Sequence, residues 1–147
     1  MTFYGGTGSV TGANFLLEVA NKKILIDCGL FQGKDFCDDC NYDPFPYDPK
    51  EIDMLIVTHG HTDHIGRIPR LVLFGFNGII YSTPPTKDIA EVMYEDALNI
   101  MRSEQRDKGV EPLYDTKDIS STLSLWKTVE YHDKVDIGSG VTFNFLD

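Results

Sequence analysis

Three of the four histidines in this sequence, His59, His61 and His64, stand with Asp63 inside six consecutive residues, directly after the apolar run Met54-Leu55-Ile56-Val57. Imidazole and carboxylate are donors that suit zinc, and an ion they hold with one position open can turn water into a nucleophile near neutral pH. Side chains on extended backbone repeat with period two, so His59 and His61 are expected on one side of the chain, able to share an ion. Asp63 and His64 fall where the chain must turn after the strand. They are expected to reach the same pocket from another direction and to serve a second ion. Two ions about 3.5–4 Å apart would clamp the attacking and the leaving oxygen of an acyl or phosphoester displacement.

The composition permits such a site in an ordinary folded domain. The chain has 147 residues, 41% hydrophobic and 24% charged, enough to bury a core in one domain. It has no apolar run of about 18 residues, and Met1-Thr2-Phe3-Tyr4-Gly5-Gly6 lacks the basic and apolar regions of a signal peptide. A cytoplasmic protein with no membrane partner is expected. The net charge of −10 opposes a surface that wraps nucleic acid by charge alone. Two divalent ions would offset about four of those charges, but at the place where a phosphate would sit. Cys28, Cys37 and Cys40 are an odd number without an export signal, so a disulfide framework is not expected. Cys37 and Cys40 have the spacing of half a zinc knuckle with no second pair to complete it, and read as unpaired loop thiols.

The elements that must position the motif are strands and helices in alternation. Asn14 to Val19 and Lys23 to Ile26 read as a hairpin turning at Ala20-Asn21-Lys22. The second strand ends at Asp27-Cys28-Gly29, a carboxylate at a strand end. The Gly5-Gly6-Thr7-Gly8 loop lacks the Lys-Ser/Thr ending of a phosphate loop and leads into a strand where a helix would be needed. Pro and Asp in 41–49 predict an irregular surface loop. After the His cluster, Ile65, Ile68, Leu71 and Val72 keep helical spacing up to Gly75. Gly78 to Tyr81 is a strand, broken by Ser82-Thr83-Pro84-Pro85. Ile89, Met93, Ala97, Ile100 and Met101 predict a long helix from Thr86 to about Arg106, whose Met and Tyr94 stripe reads as core. A further helix is expected over 116–126, and late strands over 129–131 and 141–146. His132 reads as an exposed strand-end histidine.

The run from His59 to His64 is the H-x-H-x-D-H signature of the metallo-β-lactamase superfamily, which this chain resembles. Within it the chain is similar to the β-CASP nucleases, a group that includes the nuclease subunit of the mRNA 3′-end cleavage complex. Four stretches carry the likeness: 8–12 with Leu16-Leu17-Glu18, 26–33, 58–69, and Ser82-Thr83-Pro84-Pro85-Thr86-Lys87-Asp88. Ser9 and Ala13 depart from it in small ways. The resemblance implies an α/β (α+β) fold, the αββα sandwich, with 1–147 as its N-terminal half. The third metal motif, a bridging aspartate, the β-CASP insertion and the second sheet would lie outside these residues. One sheet face is then expected to lack its cover, and self-association through it is possible chemistry for the isolated chain.

The resemblance also implies roles. His59, His61, Asp63 and His64 would hold zinc, two ions in the complete domain. Asp63 would orient or deprotonate the attacking water, and Asp27 would order the metal-binding loop by hydrogen bonding. RNA is the implied substrate, with Arg67 and Arg70 as candidate phosphate contacts against the alternative that they are merely solvated. Two other readings stay open. One keeps fold and metals but takes a small ester or thioester; the other makes the 147-residue chain a truncated, non-catalytic interaction module.

Overall fold

The structure, a computed structural model, describes residues 1–33 and 38–147. Six strands form one mixed sheet in sequence order: β1 (Thr2–Gly5), β2 (Asn14–Val19), β3 (Lys22–Ile26), β4 (Met54–Ile56), β5 (Ile79–Ser82) and β6 (Trp126–Thr128). The first three pair antiparallel and the last four run parallel. The predicted hairpin is β2–β3. Ala20 and Asn21 turn it with φ of 49° and 60°, the left-handed pair that matches strand twist in a two-residue loop.

Leu16, Leu25, Leu55, Ile80 and Trp126 stand in register across five strands, none more than 5% exposed. This row packs on α1 (Thr62–Ile65) and α2 (Ile68–Leu73) through Ile65, Ile68 and Leu71. It also meets Ala90, Tyr94 and Leu98 of α3 (Pro84–Lys108) and Ile119 of α4 (Thr116–Ser124). On the opposite face Phe15, Leu17, Ile26, Ile56, Ile79 and Tyr81 are only half-buried. A small hairpin, β7 (Val135–Asp136) with β8 (Thr142–Phe143), touches that face where the Phe143 ring meets Tyr81 at 5.3 Å. No described helix is long and apolar enough to cross a membrane.

Several expectations change. The helix expected through Ile65 to Gly75 is broken at Gly66-Arg67, because the Arg67 backbone N–H leaves the helix to donate to Cys28 O. The long helix starts at Pro84, with both prolines in the first turn where no N–H is needed, and ends on left-handed Gly109. Its core face is Thr86, Ala90, Tyr94 and Leu98, whereas Ile89 and Ile100 are half-exposed. Trp126, expected in a helix, opens β6, where its indole N–H donates to buried Ser82 at 2.8 Å. The strand expected over 129–131 is reduced to a bridge from Tyr131 to Phe145, and that over 141–146 to Thr142–Phe143. Cys40 is disulfide-bonded, not a free thiol; Cys37 lies outside the described residues. Cys28 is a buried free thiol.

Candidate metal centre

The His/Asp motif sits at the carboxyl end of β4, the edge where open parallel sheets place ligand-binding loops. The strand proper stops at Ile56, earlier than the period-two expectation required, and His59 and His61 are carried by the loop before α1. They meet nonetheless, with His59 Nε2 3.1 Å from His61 Nδ1. His64 Nε2 lies 3.5 Å from Asp63 Oδ2. Two donors on one tetrahedral zinc stand roughly 3.3 Å apart, given bonds of about 2.0–2.1 Å, so both separations fit a pair of ligands. Among the described residues no three donors yet form a ready-made metal site. The four side chains stand as two close pairs, His59 with His61 and Asp63 with His64.

Three loops lock this geometry through backbone hydrogen bonds. The carbonyls of Thr62, Asp63 and His64 accept from Leu30 (3.1 Å), Ala13 (2.9 Å) and Cys28 (2.8 Å). A helix of only four residues leaves most of its carbonyls without internal partners, and the neighbouring loops satisfy them. The approach is so close that a Cβ on Gly29 would stand 1.6 Å from Asp63 O, so only glycine fits there.

Asp27 is 1% exposed and holds the loop from below. Its Oδ1 accepts from Thr58 N at 2.8 Å, and its Oδ2 from Thr58 Oγ1 and His64 Nδ1, both at 2.8 Å. Its left-handed backbone, φ 60°, is one an aspartate tolerates better than most residues. Thr58 was not singled out by sequence reasoning, though it stands beside His59. Partial burial lowers the His59 pKa below the ordinary histidine value, and the neighbouring His64 and His61 lower it further, which favours the neutral, ligand-competent ring.

Arg67 and Arg70 are not solvated helix-surface residues. Arg67 is 5% exposed, packed 4.5 Å from the Phe45 ring centre and 5.8 Å from that of Phe31, with a guanidinium N–H donating to Asp43 O. Arg70 donates to Tyr42 O and lies 4.9 Å from Phe74. Both tie 42–45 to α2. Beside the motif, Thr62, Leu30 and Gln32 face Met93, Ile100 and other residues of α3 across a groove of about 530 Å³, so part of the expected Met core is a groove wall. His132 is exposed, as expected, and bonds to Asp147 at 3.2 Å.

Residues 16–144 match the family model described as a metallo-beta-lactamase superfamily domain. A ribonuclease of Thermus thermophilus is 36% identical over 92% of this chain and 29% of its own length. Proteins named transcription termination factor FttA are similar too. That of Methanosarcina mazei is 33% identical over 99% of this chain and 22% of its length, and that of Methanocaldococcus jannaschii 31% over 93% and 21%. The chain thus spans less than a third of the curated relatives it matches. A flavo di-iron protein mutant from Thermotoga maritima is a structural neighbour at TM-score 0.49 and 23% identity, over 90% of this chain and 26% of that one.

Proposed function

The chain belongs to the metallo-β-lactamase superfamily, in its β-CASP branch, and on that premise we propose that it carries one side of a two-zinc centre that cleaves RNA phosphodiesters. The observation that carries this reading is the pairing of donors: His59 Nε2 with His61 Nδ1, and Asp63 Oδ2 with His64 Nε2, each near ligand-to-ligand spacing. Relatives named as a ribonuclease and as transcription termination factors favour RNA as the substrate class, and a cytoplasmic location goes with that reading. Zinc bound there supplies a Lewis acid that lets water lose a proton near neutral pH and that steadies the leaving oxygen. His59, His61 and His64 hold their nitrogens in place for it. Asp63 orients the water in line with phosphorus and takes its proton as the new P–O bond forms and the old one breaks. Asp27 keeps His64 turned by accepting from Nδ1, which leaves Nε2 to face the site.

The net charge of −10 favours a second reading, a small ester or thioester substrate, because an acidic surface gives a polyanion no long-range attraction. One assay separates the two. The full-length protein is expected to cut a short single-stranded RNA only with metal present and to lose this in Asp63→Ala. Uncut RNA with both sites filled overturns the nuclease reading, and thioester turnover by the same preparation establishes the other.

For the isolated 147-residue chain we infer weak zinc binding and no efficient hydrolysis, since hydrolytic zinc usually has three protein ligands and each half-site here has two. The half-buried apolar face of the sheet gives this piece a route to self-association. Two tightly held ions per monomeric chain, by elemental analysis after dialysis, would contradict the inference.

A further inference from the structure

We propose that Thr58 is a positioning residue of the centre, whose hydroxyl decides which ring nitrogen of His59 faces the ion. The inference rests on the metal-centre reading above, and its geometry is local and over-determined. A carboxylate only accepts hydrogen bonds, so the 2.8 Å contact between Thr58 Oγ1 and Asp27 Oδ2 uses the one hydrogen that the hydroxyl has. Thr58 Oγ1 can then only accept. His59 Nδ1, 3.0 Å away, must be the donor, which places the ring proton on Nδ1 and the lone pair on Nε2. That Nε2 is the atom 3.1 Å from His61 Nδ1.

Asp27 fixes His64 by the same rule, since it accepts from His64 Nδ1 and frees His64 Nε2 toward Asp63. One carboxylate therefore sets both half-sites: His64 directly and His59 through Thr58. The direction of the hydroxyl is fixed from two sides. The Thr58 backbone N–H is bound to Asp27 Oδ1 at 2.8 Å, and a β-branched side chain has few χ1 choices. Thr58 Oγ1 also lies 3.4 Å from His64 Nδ1, so the hydroxyl sits between the two rings whose centres are 3.9 Å apart.

Thr58 is exposed, so its replacement leaves the core untouched. Thr58→Val removes the hydroxyl at nearly constant shape, and Thr58→Ser keeps it. The test is made on the 147-residue chain without metal, at about pH 8, where a histidine of ordinary pKa near 6.5 is neutral. Long-range proton–nitrogen correlation spectra of the His59 ring are expected to show the Nδ1–H form in the wild type and in Thr58→Ser, and a mixture with the Nε2–H form in Thr58→Val. Zinc affinity should fall about 10- to 100-fold in Thr58→Val and recover in Thr58→Ser. An unchanged Nδ1–H form in Thr58→Val, or the Nε2–H form in the wild type, overturns the proposal. A tautomer change in Thr58→Val supports the positioning role whatever zinc the 147-residue chain holds, whereas a full-length protein that binds no zinc removes the metal-centre reading, so the two failures are distinct.

Discussion

The two faces of the six-stranded sheet carry the same kinds of apolar residue and are covered to different degrees. Toward the helices the row from Leu16 to Trp126 is buried against residues of α1 to α4. On the other face, in the adjacent register, Phe15, Ile26, Ile56 and Tyr81 form a row over four strands that ends at Lys127 and stays half-buried. The loops around the His/Asp motif grow from the ends of strands packed on the first face, and they are clamped to one another through the backbone of Ala13, Cys28 and Leu30. Positioning of the motif thus depends on the covered face. The open face is apolar surface whose contribution to stability depends on what lies against it.

The largest expected effect tests this contrast within one strand. Leu55 is fully buried, and Leu55→Ala should cost about 2–5 kcal/mol. Ile56→Ala, its half-buried neighbour facing the other way, should cost about 1 kcal/mol, since only part of the lost hydrocarbon was removed from water. Urea midpoints on dilute protein decide it, and equal losses would mean that the two faces do not differ as described. A cost for Ile56→Ala that rises with protein concentration would sharpen the contrast, because copies would then be covering the open face.

At the strand ends the effect moves from stability to binding. Asp27→Asn keeps the side-chain shape and a residue type that tolerates the left-handed backbone, but cannot accept at both oxygens. Zinc affinity should drop about 10- to 100-fold while the unfolding midpoint stays close to wild type. Unaltered affinity, measured by competition with a chelator, would reduce Asp27 to a support for the turn.

What the sequence revealed and what it hid divide along the same lines. The motif was readable because no packing requirement explains four donors in six residues, and the strand before it because Met54 to Val57 is uniformly apolar. Most of the buried side of α3 was not, because Thr86, Ala90 and Leu98 form it with Tyr94, the one of the four read as core, while the more hydrophobic Ile89 and Ile100 face solvent. Nor was the break at Gly66-Arg67, whose cause is a hydrogen bond to Cys28, far away in sequence. Thr58 escaped notice because a threonine becomes part of a site only through its neighbours, here Asp27 and His59.

A smaller effect is expected where a helix is fastened to the metal loop. Tyr94 is 1% exposed, and its hydroxyl donates to Ile65 O at 3.1 Å, near the end of α1. Tyr94→Phe should lose about 0.5–1.5 kcal/mol, the usual net value of one neutral hydrogen bond, with zinc affinity little changed. A loss of zinc affinity as great as that from Asp27→Asn would show that α3 helps to set the ligand geometry, which the backbone clamp from Ala13, Cys28 and Leu30 does not require.

The smallest effect near neutral pH concerns Cys28, directly beneath the metal loop, and appears only in alkali. Burial pushes its thiol up to about 12 from 9.0, with nearby Arg67 opposing the rise. A raised folded-state value means that the thiol is neutral in both states below about pH 9, where it leaves stability unchanged. Above that the unfolded chain loses the proton first, so stability falls as pH climbs toward the folded value. Tyr47, Tyr94 and Tyr114 are raised in the same direction by burial, but from 10.0, so their destabilisation begins about one unit higher. Cys28→Ala is therefore expected to lower the neutral-pH midpoint modestly and to delay the start of alkaline destabilisation from about pH 9 to about pH 10. Urea midpoints against pH for the two proteins give both numbers. The same onset in wild type and variant would show that the Cys28 thiolate finds solvent or a cation in the folded chain, and that the layer under the metal loop is more open than its zero exposure implies.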